Sequence, residues 1–94
     1  MINLRGKWAF ITGASRGLGY QMAQYLADQG CHLVLHSRSL SGTSSLSRQL
    51  EFKGIQTRSI ECDLSSVEEV ESMLKTLDEM DIVIDVVFNN AGLQ

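Results

Sequence analysis

Proline is absent from this 94-residue chain, and cysteine, tryptophan and tyrosine are sparse at two, one and two. With no proline, no repeat and no block of like charge, nothing marks a linker between domains. Ser39-Leu40-Ser41-Gly42-Thr43-Ser44-Ser45 is serine-rich but too short to separate two units. Two cysteines make no disulfide framework. Cys31 and Cys62 sit in or beside apolar strand-like runs and read as small core residues rather than a redox pair. No apolar stretch approaches the roughly 20 residues that span a bilayer. The opening Met1-Ile2-Asn3-Leu4-Arg5-Gly6-Lys7 lacks a secretory apolar region, and with no targeting signal the expected location is cytoplasmic. A basic excess is missing too: eight Lys and Arg face eleven Asp and Glu, a net charge of −3. That balance gives no general pull toward nucleic acid or acidic membranes, so neither is expected as a partner. His32 and His36 share strand parity and one face but lack further ligands at a recognisable spacing. No metal site is expected, and both read as buried or edge-strand histidines.

What is present is an ordinary globular composition, 44% hydrophobic and 20% charged. Ninety-four residues make one small domain or part of a larger one. Periodicity alternates along the chain. Lys7 to Thr12 is a continuous apolar run suited to a strand buried on both faces. From Gly17 to Gln29, Leu18, Met22, Ala23, Leu26 and Ala27 recur at helical spacing, and Gly30 is placed to cap the helix. His32 to His36 is a second strand. Thr43 to Lys53 is a weaker helix with Leu46 and Leu50 inward and Gly54 as its stop. Gln56 to Glu61 is a third strand. Ser65 or Ser66 starts a further helix, either one able to form a capping box with the glutamate three residues on. Val67, Val70, Leu74 and Leu77 are that helix's expected stripe. Ile84 to Phe88 is a fourth strand, with Trp8, Phe10 and Phe88 as aromatic core residues.

The pattern βαβαβαβ predicts an α/β fold with a Rossmann-type, doubly wound parallel sheet, in part. Right-handed crossovers favour strand order 3-2-1-4, with ligands at the carboxyl ends of strands 1 and 4, where the winding reverses.

Thr12-Gly13-Ala14-Ser15-Arg16-Gly17-Leu18-Gly19 follows the first strand and opens the first helix. A helix N-terminus carries unpaired N–H donors and about half a positive charge, which favours a pyrophosphate. Gly13 allows a tight turn, Gly17 keeps the backbone clear for phosphates, and Gly19 permits close packing of the helix. Ser15 and Arg16 offer polar contacts. A glycine-rich turn without a ligand is the plainer reading, which the flanking strand and helix weigh against.

The spacing is G-x-x-x-G-x-G. Thr12 to Gly19 resembles the TGxxxGxG loop of the short-chain dehydrogenase/reductase family. Asn89-Asn90-Ala91-Gly92 is similar to that family's NNAG element, and Asp63-Leu64 to its adenine-contacting pair. The resemblance covers essentially the whole chain. It implies that the backbone at Ser15, Arg16 and Leu18 binds pyrophosphate, and that Asp63 bonds the adenine amino group with Leu64 beside the ring. It further implies that Asn90, Ala91 and Gly92 line the adenosine ribose side while Asn89 braces the central strands. Asp63 also reads as a turn or capping residue before Ser65, and Asn89-Asn90 as a strand-end turn.

An NAD site places an acid at the end of strand 2, roughly 20 residues past the loop. Here that position is His36-Ser37-Arg38-Ser39, and no Asp or Glu stands between Asp28 and Glu51. Arg38 offers a fork of donors suited to phosphate, Ser37 a hydroxyl, and Arg16 a second cation. The expected cofactor is NADP(H), although Arg38 also reads as a solvated surface residue.

The family's chemistry needs a tyrosine with a lysine four residues later, and a serine upstream. Tyr20 and Tyr25 are instead followed by Gln24 and Gln29, so no catalytic residue is assigned. Residues 1–94 are expected to be the amino-terminal part of a single NADP-binding Rossmann domain, from a reductase of a small alcohol or carbonyl substrate, and inactive alone. Strand 4 would then be an open edge, with self-association or poor solution behaviour expected. The alternatives are a non-enzymatic nucleotide-binding or regulatory module, and a methyltransferase with a related sheet, against which the glycine spacing counts.

Overall fold

Five consecutive buried residues, Trp8–Thr12, form β1 at the centre of the sheet. The computed structural model describes residues 3–91. After β1 come α1 (Gly17–Asp28), β2 (His32–Ser37), a 3₁₀ turn (Leu40–Gly42) and α2 (Ser44–Phe52). β3 (Thr57–Glu61), α3 (Val67–Glu79) and β4 (Ile84–Asn89) complete the order. The sheet runs β3-β2-β1-β4, and every pairing is parallel. This is the Rossmann-type βαβ winding expected from the alternating periodicity, with the reversal at β1 and β4.

Alternate residues of the strands serve two cores. Ala9, Ile11, Leu33 and Leu35 pack beneath α1 and α2, against Ala23, Leu26, Leu46 and Leu50. Trp8, Phe10, Val34 and Ile60 face α3 and its Met73. Ile11, Leu33, Leu35, Leu46 and Leu50 are among the largest side chains fully removed from solvent. Each such aliphatic contributes about 1.5–3 kcal/mol on burial, which makes the α1–α2 side the stronger half.

Two helices end as their glycines predict. Gly30 has φ +89, its N–H bonds Ala27 O at 2.9 Å, and Cys31 N–H bonds Leu26 O at 3.0 Å. Gly54 repeats the arrangement, with φ +89 and bonds from Gly54 N to Glu51 O and Ile55 N to Leu50 O, both 3.0 Å. These paired bonds satisfy the last carbonyls of each helix and turn the chain into the next strand.

Three expectations need correction. Leu18 is 52% exposed and does not join the α1 stripe; Gly19 is buried in its place. On α3, Val67 and Leu74 are exposed, and the inward stripe is Val70, Met73 and Leu77. Val67 and Leu74 fall on the flank of that stripe, 72% and 55% exposed. The capping box is only half formed. Ser66 Oγ accepts from Glu69 N–H at 3.2 Å, but the Glu69 carboxylate accepts from Asp63 N–H at 2.9 Å. Ser65 lies one residue before the N-cap Ser66, and its hydroxyl donates to Asp63 Oδ1 at 2.7 Å.

Candidate functional site

The chain leaves β1 through Gly13, at φ +65, and enters α1 at Gly17, at φ +64. Both lie in the left-handed region that glycine adopts without the steric penalty of a Cβ. Gly19 answers to a different constraint. A Cβ built there would stand 2.8 Å from Asn90 Nδ2 and overlap Gly13 O. The first turn of α1 therefore closes directly onto the loop that precedes it. Arg16 is the N-cap, no side chain caps the helix, and no acid lies in its first turn. The positive end of the α1 dipole is thus left for an anion.

Thr12 ties this loop to the end of β4. Its hydroxyl donates to Asn89 Oδ1 at 3.0 Å and accepts from Asn90 N–H at 2.9 Å and Ala91 N–H at 3.1 Å. Asn89 braces β1 and β4, as the resemblance implied. Asn90 is 1% exposed, and its Nδ2 donates to Gly13 O at 3.1 Å. Its amide nitrogen holds the glycine loop.

His36 ties the same loop to β3. Gly13 N–H donates to His36 Nδ1 at 3.0 Å, and Ala14 N–H donates to His36 O at 2.8 Å. His36 Nε2 lies 2.8 Å from Cys62 O. An Nδ1 that accepts from an N–H has no proton, so Nε2 carries it and donates to that carbonyl.

These ties frame an open cavity of about 700 Å³ at the carboxyl end of the sheet. Its lining takes in Gly13, Ser15, Arg16, Ser37, Arg38, Asp63, Leu64 and Ala91 from the expected residues. Gly17, Leu18, Gly19 and Asn90 stand outside the lining, with Gly19 packed against Gly13 O and Asn90 Nδ2. Gly92 lies outside the described residues. His36, Ser39, Gly42 and Ser65 also line the cavity, and sequence reasoning missed them. Gly42 carried a signal, as a lone glycine in a serine run. A Cβ there would stand 3.1 Å from Ser15 Cβ and 3.2 Å from Ser37 Oγ, so the 3₁₀ turn presses against the glycine loop.

Asp63 is the one acid among the lining residues. Its Oδ1 accepts from Ser65 N–H at 3.0 Å and from the Ser65 hydroxyl. These bonds, with Arg38 nearby, hold its carboxyl below the usual carboxylate range. Oδ2 lies 4.0 Å from Arg38 Nη2. Arg38 is 85% exposed, so this contact is screened and leaves the guanidinium free to engage another anion. Both the turn reading of Asp63 and its position in the cavity are present at once. Ser37 is buried, and its hydroxyl donates to Ser39 O.

The family model for short chain dehydrogenases matches residues 7–94. The chain belongs to the short-chain dehydrogenase family. It is 35% identical over 92 residues to a 3-oxoacyl-(acyl-carrier-protein) reductase of Vibrio harveyi, covering 98% of this chain and 36% of that protein. A very-long-chain 3-oxoacyl-CoA reductase of Neurospora crassa is 39% identical over 95 residues, covering 94% of this chain and 27% of the relative. The fold superposes on an L-sorbose reductase from Gluconobacter frateurii, solved with NADPH and L-sorbose, with a TM-score of 0.85. The two are 30% identical, over 97% of this chain and 36% of that one. An alcohol dehydrogenase from Thermococcus sibiricus, complexed with 5-hydroxy-NADP, gives a TM-score of 0.81 at 36% identity. That match covers 88% of this chain and 36% of the other. The chain thus spans about a third of the length of these short-chain dehydrogenases. Among the described residues no helix is long and apolar enough to cross a membrane, and no cluster could hold a metal ion.

Proposed function

We propose that residues 1–94 are the NADP(H)-holding portion of a single Rossmann domain, in a short-chain reductase acting on a small alcohol or carbonyl substrate. The observation that carries this reading is the pair Arg16 and Arg38 in one cavity, with no acid at the end of β2. The cavity fits such a group. It falls within the roughly 300–1,000 Å³ of small-molecule pockets, α1 presents an uncapped N-terminus, and nothing crowds Gly17.

In this reading the N–H groups of Ser15, Arg16 and Leu18 hold the pyrophosphate. Arg38 and Arg16 hold the 2′-phosphate, which a carboxylate at Arg38 would repel, and Ser37 joins them once its hydroxyl turns away from Ser39 O. Asp63 Oδ2, not used by Ser65, accepts from the adenine amino group, Leu64 lies beside the ring, and Ala91 and Gly92 flank the ribose. Asn90 contributes at one remove, by anchoring Gly13 O. The bound cofactor supplies or receives a hydride. No tyrosine here is followed four residues on by lysine, and Tyr20 packs against the α1–α2 core and donates its hydroxyl proton to Gln49 Oε1 of α2 at 3.3 Å. These residues therefore bind cofactor without carrying out proton transfer. Relatives named as 3-oxoacyl reductases support a carbonyl substrate for the whole protein.

Calorimetric titration of the chain with NADPH and NADH tests the reading, with and without Arg38→Asp. NADPH is expected to bind tighter, and the substitution to weaken NADPH far more than NADH. Equal losses for both would sink the 2′-phosphate assignment. NADPH should bind without being oxidised when a 3-oxoacyl thioester is added. β4 is one edge of the sheet among the described residues, opposite β3, and Val83 and Val87 beside and on it are 73% and 64% exposed. Self-association through that edge is expected in size-exclusion chromatography with light scattering, and a monodisperse monomer with a cooperative melt would contradict it.

A further inference from the structure

Among the described residues the two histidines belong to no metal-binding cluster, and one of them joins two of the loops around the cavity. We infer that His36 is a positioning residue for the dinucleotide site, setting through one imidazole tautomer where the glycine loop stands relative to the Asp63 loop. This rests on the dinucleotide reading above.

His36 is 2% exposed and sits on β2, flanked by β1 on one side and β3 on the other. The first two amides after β1 both end on it. Gly13 N–H reaches the ring at 3.0 Å, and Ala14 N–H reaches the backbone carbonyl at 2.8 Å. The loop amides left to meet a phosphate therefore begin at Ser15. On the other side, Nε2–H donates to Cys62 O, and Cys62 directly precedes Asp63 and Leu64. Cys62 N–H is in turn held by Ser37 O at 3.1 Å. One ring thus fixes both walls of the cavity it lines. The opposite tautomer would set Nδ1–H against Gly13 N–H and leave Cys62 O without its donor. An apolar residue would strand both groups away from water, which is costly.

The test separates the two arms of the ring. In asparagine the side-chain carbonyl stands as many bonds from Cβ as Nδ1 does, so His36→Asn can still accept from Gly13 N–H. In glutamine the amide nitrogen stands where Nε2 does, so His36→Gln can keep only the bond to Cys62 O. Ring ¹⁵N NMR of the unsubstituted chain should show a protonated Nε2 and a bare Nδ1. Gly13 amide exchange should stay slow in His36→Asn and become fast in His36→Gln. The NADPH Kd should remain within about threefold for His36→Asn but rise about tenfold for His36→Gln, the equivalent of one lost buried hydrogen bond.

Both variants are expected to melt earlier by similar amounts. A merely structural histidine would therefore lower NADPH affinity equally in the two, and that result overturns the proposal. The reverse tautomer overturns it without any variant having to fold. Failure of the unsubstituted chain to bind NADPH overturns the dinucleotide reading, while the ring spectrum and Gly13 exchange still decide whether His36 holds the loop.

Discussion

Replacing Gly19 by alanine places a methyl group where the glycine loop already stands. The new Cβ would lie 2.8 Å from Asn90 Nδ2 and 3.0 Å from the Gly13 carbonyl carbon, and it would overlap Gly13 O. None of these is the free end of a flexible side chain, because the Asn90 amide is itself bonded to Gly13 O. Either α1 lifts from the loop or the Asn90–Gly13 bond breaks. Overpacking of this kind costs about 1–3 kcal/mol, and stranding a buried amide and carbonyl adds about 1–3 kcal/mol. Alanine returns about 1 kcal/mol through better helix propensity. The net is a loss of about 3 kcal/mol, or roughly 12–24 °C in Tm for a chain of this size. Gly17→Ala is the control. Nothing lies within 4 Å of a Cβ there, so only the left-handed backbone resists it, at about 1–2 kcal/mol. Urea denaturation followed by circular dichroism ranks the two. A Gly19→Ala variant within about 0.5 kcal/mol of the parent, inside the range of an ordinary surface substitution, would refute the close-approach argument. So would a greater loss in Gly17→Ala.

Thr12→Val keeps the shape of the side chain but removes a hydroxyl that serves Asn89, Asn90 and Ala91. The expected loss is about 2–4 kcal/mol in urea denaturation, from two orphaned N–H groups and one orphaned acceptor. Asp63 is held below the usual carboxylate range by its bonds to Ser65 first and by Arg38 last. Its contribution is therefore present above the ordinary carboxylate pKa and is lost as pH falls through the lower, folded value. Ser65→Ala should move Asp63 back toward the ordinary range in a carboxyl ¹³C NMR titration, and an unchanged midpoint would discount the turn. Burial raises the pKa of the Cys31 thiol, and burial followed by the charges of Glu69 and Asp63 raises that of Cys62. Both thiols stay neutral and shielded, so alkylation by iodoacetamide at pH 8 should be at least about tenfold slower in the folded chain than in urea. Equal rates would contradict that burial.

Much of the fold was legible because its signals are local and redundant. β1 is apolar at nearly every position, which only a strand covered on both faces tolerates. Gly30 and Gly54 stand where two helical stripes stop. The order β3-β2-β1-β4 follows once the crossovers are right-handed. The two misread stripes share one cause. On α3 the pattern offered Val67 and Leu74 as plausibly as Met73, and only the rotation of the helix on the sheet chooses between them. Apolar spacing defines a stripe about 100° wide and leaves its edges undetermined.

The site divides along the same line. The glycine loop and the missing acid after β2 are contiguous in sequence and could be read from it. Asn90 and His36 could not, because what each does depends on residues brought to it by the sheet. Asn90 has the composition of a ligand contact, yet its amide meets Gly13 O across the junction of β1 and β4. Strand parity gave the face of His36 but not its partners. With β1 and β3 on opposite sides of β2, one ring nitrogen meets Gly13 and the other meets Cys62. A histidine there has two acceptor-or-donor atoms pointing at two different loops, and a residue with one polar atom has only one. The strand order expected from the periodicity therefore contained this role.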